Sequence, residues 1–301
     1  MHTYCLFNLH VHSELVLPGL PLSNGTEYPG ITIRREAIPK ERLAVLNDDG
    51  DHIAGRADGV MRFRVEKGTS IVVDIEPDAD EQYVAAIVTG ELMSVLLRQR
   101  GLLTLHGSCV AKDGEAVGFI GNSGWGKSTL ATCFLEHGYE LLGDDVMAID
   151  LNAEQPEVIP AHPQIKLRPD SGERFIEAYD TLAPAHTLTD KRLLSDPERF
   201  RKTPTRLKKM YILEGQARTE DRIAPLSLRE AFAEIVGHTR GTRLLKNREY
   251  VASHFTACSE LLQKVPVARL HRTMSLELLP ELYHLIEQDL TSLHDSMVSV
   301  S

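Results

Sequence analysis

The feature that most restricts this chain is the run Gly121-Asn122-Ser123-Gly124-Trp125-Gly126-Lys127-Ser128. It fits G-x-x-x-x-G-K-[ST], the pattern of a phosphate-binding loop. Glycines let the backbone curl until successive N–H groups point inward at phosphate oxygens. Lys127 then reaches the outer phosphates as a point charge, and the Ser128 hydroxyl suits a divalent cation. Such a loop works between a strand and a helix. Residues 116–120 read as the strand, and residues 127–137 read as the helix, with Gly138 as its stop. The helix adds the positive end of its dipole at the same place. Thr129 joins the candidate binding residues. Trp125, the chain's one tryptophan, is placed to shield the phosphates, to lie under a nucleotide, or simply to pack on the surface.

The rest of the chain can be read around this unit. From residue 102 short apolar strands alternate with helices. Residues 103–110 read as a strand, and residues 141–142 and 146–149 flank Asp144-Asp145. Ser227-Leu228-Arg229-Glu230 is a capping box before a helix, residues 244–262 read as another, and Leu282, Leu285 and Ile286 mark a third. Residues from about 291 read as a frayed tail.

Residues 1–75 follow a different grammar. Met61-Arg62-Phe63-Arg64-Val65 alternates apolar and polar, Glu66-Lys67-Gly68-Thr69 turns the chain, and Ile71, Val73 and Ile75 share one face. That is a β-hairpin. Pro18, Pro21, Pro29 and Pro39 punctuate the earlier part, as in a loop-rich β layer. A helix follows, with Asp78 as its cap and Glu81 completing a capping-box pattern. Val84, Ile87, Val88, Leu92, Val95 and Leu96 recur at helical spacing, and Gly101 ends it. The expected fold is α/β. A P-loop domain with a mixed β-sheet spans 99–301, and a smaller β-rich α+β domain with a linking helix spans 1–98.

Composition narrows the partners. With 301 residues the chain can bury a sizeable core without a metal or disulfide staple. Its net charge of −10, from 33 basic and 43 acidic residues, lacks the positive field of a nucleic-acid binder. No apolar run approaches about 18 residues, so neither a transmembrane helix nor a membrane partner is expected. The opening MHTYCLFNLHVHSEL lacks a basic segment followed by an unbroken apolar one, so a secretory signal is not expected. Cys5, Cys109, Cys133 and Cys258 form no C-x-x-C pair, which speaks for reduced, mostly buried thiols in a cytoplasmic protein.

Three further groups carry candidate chemistry. Gly143-Asp144-Asp145 places its carboxylates 23 and 24 residues after Gly121, a gap that one helix and one short strand fill. The aspartates then lie at a strand end beside the loop. Phosphoryl transfer needs a carboxylate near the metal and another group to take or orient the acceptor's hydroxyl proton. His106, in Leu105-His106-Gly107-Ser108, lies 15 residues before Gly121. The turn Lys112-Asp113-Gly114-Glu115 would fold it back beside the strand that feeds the loop. Lys166 and Arg168 alternate on an expected strand and so face one side, either as a phosphate clamp or as a solvated edge. Residues 199–209 hold six basic residues in this acidic chain. They form a solvated face, dock an acidic acceptor, or close over the nucleotide.

Together, Leu105-His106-Gly107-Ser108, the 121–128 loop and Gly143-Asp144-Asp145 resemble the catalytic domain of the bacterial HPr kinase/phosphorylase family. That P-loop kinase domain is related in architecture to ATP-dependent phosphoenolpyruvate carboxykinases. The resemblance covers residues 102–150 well and resumes at Val265-Pro266-Val267-Ala268-Arg269-Leu270, which looks like a late strand of these proteins. The N-terminal part resembles the front domain of HPr-kinase-like proteins of uncharacterised pathways, including kinases that modify lasso peptides, rather than that of true HPr kinases. The resemblance implies ATP and Mg²⁺ as cofactors. It implies Asp144 as the base toward a serine hydroxyl, Asp145 holding Mg²⁺ with Ser128, and His106 orienting the aspartates, with the roles of Asp144 and Asp145 exchangeable. Self-association is compatible with it, since true HPr kinases are hexamers. True HPr kinases also carry a downstream Glu-x-Arg-Gly signature that supports the reverse, phosphorylase reaction. Here His162-Pro163-Gln164-Ile165-Lys166-Leu167-Arg168-Pro169-Asp170 contains no glutamate, so that reaction is not expected.

The sequence thus points to an ATP- and Mg²⁺-dependent kinase acting on a hydroxyl, first of all a serine of a peptide or small protein. A kinase of a small-molecule acceptor and a non-catalytic ATP-binding regulatory module are the alternatives. The intact aspartate pair argues against the last.

Overall fold

Mixed α/β structure is built from two large sheets and the helices packed on them. The computed structural model describes residues 1–23, 30–40, 50–244 and 247–298. The first sheet contains β1 (His2–Leu6), β2 (Leu9–Ser13), β3 (Ile31–Arg35), β4 (His52–Ala57), β5 (Met61–Glu66) and β6 (Ser70–Ile75). Their order is β1-β2-β3-β6-β5-β4. The predicted hairpin is present, with Met61 opposite Ile75, Phe63 opposite Val73 and Val65 opposite Ile71. Met61, Phe63, Val65, Ile71 and Val73 are buried, as strand alternation requires when one face meets a core. Pro18, Pro21 and Pro39 lie outside the strands; Pro29 lies outside the described residues.

The predicted helix begins two residues later than expected. Asp78 is used in a turn closed by Ala79 N–H to the Glu76 carbonyl. Asp80 is the cap instead, its carboxylate accepting from Gln82 N–H at 2.8 Å, so the Asp78–Glu81 capping box does not form. The helix is also not uniform. It runs as α1 (Glu81–Ile87), a π-helical turn (Val88–Leu92) and α2 (Met93–Gln99). Gly90 weakens the regular helix here. The Ser94 hydroxyl donates to the Gly90 carbonyl at 2.7 Å, and Thr89 donates to Ala85 at 2.9 Å. Val84, Val88, Leu92, Val95 and Leu96 pack into one core with Ile31, Val65 and Ile71 of the first sheet, and with Val146, Ala148 and Ala161 beyond it. That shared core holds the π turn against the second sheet.

The second sheet holds the order β10-β8-β9-β15-β12-β11-β7, with β17 beside β15 and β16 beside β17. Its strands are β7 (Leu103–Leu105), β8 (Gly107–Lys112), β9 (Glu115–Ile120), β10 (Glu140–Gly143), β11 (Met147–Asp150), β12 (Glu157–Ile159), β15 (Thr205–Leu213), β16 (Arg222–Pro225) and β17 (Val267–His271). The single strand expected over 103–110 breaks at His106. β7 pairs with β11, whereas β8 pairs with β9 and β10. Sharing the segment between two neighbours leaves His106 at the break. β13 (Gln164–Leu167) and β14 (Arg192–Ser195) form a separate ribbon.

The helices are α3 (Lys127–Glu136), α4 (Pro169–Phe175), α5 (Leu228–Gly237), α6 (Arg248–Lys264) and α7 (Leu279–Val298). Ser227 and Glu230 form the predicted capping box on α5. Asn247 caps α6 through Glu249 N–H at 2.8 Å, so this helix starts later than position 244; residues 245–246 lie outside the described residues. The frayed tail expected from 291 is helical to Val298. Leu282, Ile286 and Leu290 recur at i+4 and bury against α3 and the sheet. Asp289 from the same helix accepts from Lys209 Nζ at 2.6 Å and the Tyr211 hydroxyl at 2.5 Å. Among the described residues no helix is long and apolar enough to cross a membrane.

Candidate active site

β9 ends at Ile120 and α3 begins at Lys127, so the glycine-rich segment is the connection between a central strand and a helix N-terminus. Gly124 and Gly126 take φ values of 82° and 73°, the left-handed region that glycine enters without strain. At Gly126 a Cβ would also lie 2.8 Å from Arg272 Nη1. A larger residue there is strained by the φ and would have to displace the Arg272 guanidinium. Lys127 folds back over the loop, and its Nζ donates to the Gly121 and Asn122 carbonyls at 2.8 and 2.9 Å.

The aspartates occupy the turn between β10 and β11. Asp145 has φ 76°, a conformation that Asp tolerates better than most residues. The turn sends the two side chains to different places. Asp144 is 5% exposed. Its Oδ1 accepts the hydroxyls of Ser108 at 2.5 Å and Ser128 at 2.8 Å, and its Oδ2 accepts Lys166 N–H at 3.0 Å. Asp145 meets cations instead. Lys166 Nζ donates to its Oδ2 at 3.3 Å, the Arg240 guanidinium donates to its Oδ1, and His106 Nε2 lies 3.4 Å from the same oxygen.

These neighbours set the charge states. Burial works against ionising Asp145, but Lys166, Arg240 and His106 outweigh it and hold the carboxyl well below the usual range. Burial, with Lys127 and Arg240 adding to it, pushes His106 down to about 3. It is therefore neutral near pH 7. Burial likewise pushes the Lys127 ammonium down to about 8, against the pull of Asp144 and Asp145.

The last shift has a measurable consequence. An anion on the loop binds the protonated lysine, so affinity is flat below the pKa and falls as pH rises through it. Sulfate stays a dianion throughout this range, so its own charge does not change. Its affinity, read by calorimetry, should fall from about pH 8 upward by as much as about tenfold per unit. An affinity that is constant or rising between about pH 7 and about pH 9 would contradict the placement of Lys127 at the anion.

Most of the residues singled out in the sequence face one cleft of about 480 Å³. Ser123, Gly124, Gly126, Lys127, Ser128 and Thr129 form its floor. His106, Asp144, Asp145, Lys166 and Arg168 line the walls. Three loop residues behave differently. Gly121 and Asn122 contribute the carbonyls under Lys127. The Trp125 ring sits over Gly215 and Gly121, where a Cβ on either glycine would lie 2.2 and 2.9 Å from it respectively, and it faces a second cavity of about 390 Å³ rather than the cleft. Trp125 therefore packs behind the loop, on the side of the second cavity.

The two-cation clamp also separates. Lys166 lies on β13, but Arg168 lies past its end as the N-cap residue of α4. Arg168 pairs with Asp190 at 3.2 Å, while Lys166 is held by Asp145. The basic run at 199–209 does not line the cleft. Several of its charges are matched locally, Arg201 by Glu140, Lys208 by Glu115 and Lys209 by Asp289.

Two site residues were not visible in the motifs. Arg240 arrives because residues 238–240 pair with β7: His106 N–H donates to the His238 carbonyl at 2.7 Å and Arg240 N–H to Thr104 at 2.9 Å. Nothing in the spacing signals that. Arg272 follows β17 and donates to the Trp125 carbonyl. Burial pushes it down to about 10, with Asp221 opposing. Its position had a signal, since ligands of open α/β sheets gather at the C-terminal ends of strands.

The donor set fits a hard divalent cation. Ser128 and Asp144 bring a hydroxyl and a carboxylate oxygen together. Among the described residues no group of three or more His, Cys, Asp or Glu side chains gathers as a metal cage. Magnesium is usually held in just that way, by one or two protein oxygens with waters and phosphates completing the shell.

No protein-family model matches the chain. Over 55 residues it is 46% identical to a phosphoenolpyruvate carboxykinase (ATP) of Zea mays, covering 18% of this chain and 8% of that protein. Over 67 residues it is 40% identical to phosphoenolpyruvate carboxykinase (ATP) 1 of Arabidopsis thaliana, covering 21% and 10%. The chain thus matches about a tenth or less of the length of these curated relatives. Among solved structures, the Hpr(Ser) kinase/phosphatase of Coxiella burnetii aligns with a TM-score of 0.36 at 12% identity, over 65% of this chain and 95% of that one. That likeness is too distant to carry a structural argument.

Proposed function

We propose that the protein is an ATP- and Mg²⁺-dependent kinase of the HPr-kinase-like kind, transferring the γ-phosphate to a hydroxyl of a serine in a peptide or small protein. The observation that carries this reading is a division of labour in one cleft. The loop lysine and the Ser128–Asp144 pair lie on one side, and Asp145, free of Ser128, faces the open space. A stretch shared with carboxykinases whose names specify ATP supports the nucleotide.

Loop N–H groups and Lys127 hold the β- and γ-phosphates. Ser128 and Asp144 would hold Mg²⁺, which when bound neutralises charge on the phosphate oxygens. This gives Asp144 the metal side and Asp145 the acceptor side, the exchange that the resemblance left open. Asp145 accepts the acceptor's O–H hydrogen bond and takes its proton as the new O–P bond forms. The bond from the γ-phosphorus to the β–γ bridging oxygen breaks, and ADP leaves with that electron pair. A carboxylate with so low a pKa is a weak base. In a loose transition state the nucleophile needs orientation more than early deprotonation. Lys166 and Arg240 fix the Asp145 carboxylate, and neutral His106 stands beside it.

Met274, Leu276, Leu279 and Leu282 line the apolar part of the cleft and suit the nucleoside. On another wall Tyr83, Ala86 and Ile87 of α1 face Leu188, which is 70% exposed. An exposed apolar rim of that kind suits a peptide better than a small polar metabolite. In this reading the 1–98 unit shapes the acceptor side and the 99–301 unit carries the phosphate chemistry.

The test is incubation with Mg²⁺ and γ-labelled ATP in the presence of serine-containing peptides, followed by mass spectrometry. Label on a serine oxygen is expected. Nucleotide that binds but stays intact with every hydroxyl acceptor would favour a binding module instead.

A further inference from the structure

Residues 183–193 fold as a narrow hairpin over the mouth of the cleft. Leu193 N–H donates to the Ala183 carbonyl at 2.9 Å, and Ala185 N–H donates to the Lys191 carbonyl at 2.9 Å. The tip is fastened to the first part of the chain. Thr187 donates to Asp80 Oδ2 twice, from its N–H at 3.0 Å and from its hydroxyl at 2.6 Å. The His186 ring lies 4.8 Å from that of Tyr83. The base is held as well, since Arg192 pairs with Leu167 of β13 and its guanidinium donates to the Leu182 carbonyl at 2.6 Å. A backbone pinned at both ends positions whatever side chains it aims inward.

Lys191 is one of those side chains, and it lines the cleft together with Lys127 and Ser128. The other cations of the cleft are engaged. Lys127 donates to two loop carbonyls, Lys166 and Arg240 hold Asp145, Arg168 holds Asp190, and Arg272 donates to the Trp125 and Glu214 carbonyls. Among the described residues, the Lys191 ammonium has no hydrogen-bond or ion-pair partner; its backbone N–H alone donates, to Thr189 Oγ1 at 3.3 Å. An ammonium has three donors to satisfy. Its charge is felt at Lys127, whose own proton it disfavours. Two lysines that face one space across a phosphate-binding loop repel each other until an anion lies between them.

We infer that Lys191 is a second cation on the outermost phosphate of the bound nucleotide, opposite Lys127 and delivered from the hairpin that straps the cleft. The inference rests on the nucleotide reading above and assigns a residue that the phosphate-loop pattern does not contain. A contact to the outermost phosphate exists with a triphosphate and is missing with a diphosphate. The two nucleotides therefore isolate it.

The experiment measures calorimetric affinities of Mg²⁺ complexes of ADP and of a non-hydrolysable ATP analogue for wild type, Lys191→Ala and Lys191→Arg. Loss of a charge-assisted contact should weaken the analogue at least about tenfold in Lys191→Ala while ADP stays within about twofold. Lys191→Arg keeps the charge and should restore most of the preference. The inference is overturned if Lys191→Ala weakens both nucleotides alike or neither, or if the wild type does not prefer the triphosphate. A wild type that binds neither nucleotide would remove the nucleotide reading itself, which is a separate failure.

Discussion

Lys127→Ala should abolish detectable phosphoryl transfer and weaken Mg²⁺·ATP binding sharply. Removing one preorganised donor from developing phosphate charge costs roughly 10²–10³ in rate. Here the donor is also a binding contact made in a buried place, where an ionic interaction is screened little by water. Its absence has a second effect, because the Gly121 and Asn122 carbonyls lose the ammonium that satisfies them. Arginine is no substitute. Its planar fork cannot take the place of a compact ammonium that donates to both the Gly121 and Asn122 carbonyls. Calorimetry and single-turnover transfer check the result. Wild-type affinity in Lys127→Ala would remove the phosphate-loop assignment.

Asp145→Asn should leave ATP affinity within a few-fold and lower transfer by roughly 10²–10⁴, the usual contribution of a positioned proton acceptor. The amide keeps the shape but loses the charge that holds Lys166 and Arg240. Asp144→Asn should behave differently. It touches Ser128 directly, so part of its defect should be recovered at high Mg²⁺. Stability separates the variants too. The Asp145 pKa is lowered by folding, so its contribution is present above the unfolded value of about 4 and is lost as pH falls below it. Wild type should therefore lose more stability on acidification than Asp145→Asn, as urea melts at neutral and acid pH would report. Equal transfer rates in wild type and both variants would show that neither aspartate serves the reaction.

Local grammar was a good guide wherever one short segment supplied the whole cause. The 61–75 hairpin, the Ser227 capping box and the strand–loop–helix around Lys127 each follow from alternation, caps or glycines within a dozen residues. It was a poorer guide where a residue had two possible uses. Asp78 reads as the cap, but the turn closed on Glu76 uses that stretch and Asp80 caps the helix instead. The apolar run at 103–110 read as one strand because pairing partners are invisible in a single segment; two different neighbours divided it at His106. The last helix outran its expected end, continuing to Val298 beyond the turn that Leu290 and Asp289 anchor on the sheet.

The motif at 121–128 determined that a glycine-rich turn joins the end of a strand to the start of a helix, the arrangement that suits an anion. The spacing to Gly143-Asp144-Asp145 brought carboxylates to the same place. Which carboxylate touches Ser128 was settled only by the left-handed backbone of Asp145, which turns the two side chains apart. Arg240, Arg272 and Lys191 reached the cleft by a backbone pairing with β7, by the end of β17 and by a hairpin fastened to Asp80. Each lies far along the chain from the loop it serves. A linear pattern encodes neighbours a few residues apart, whereas these contacts exist because strand pairing and a hairpin tether bring distant segments together.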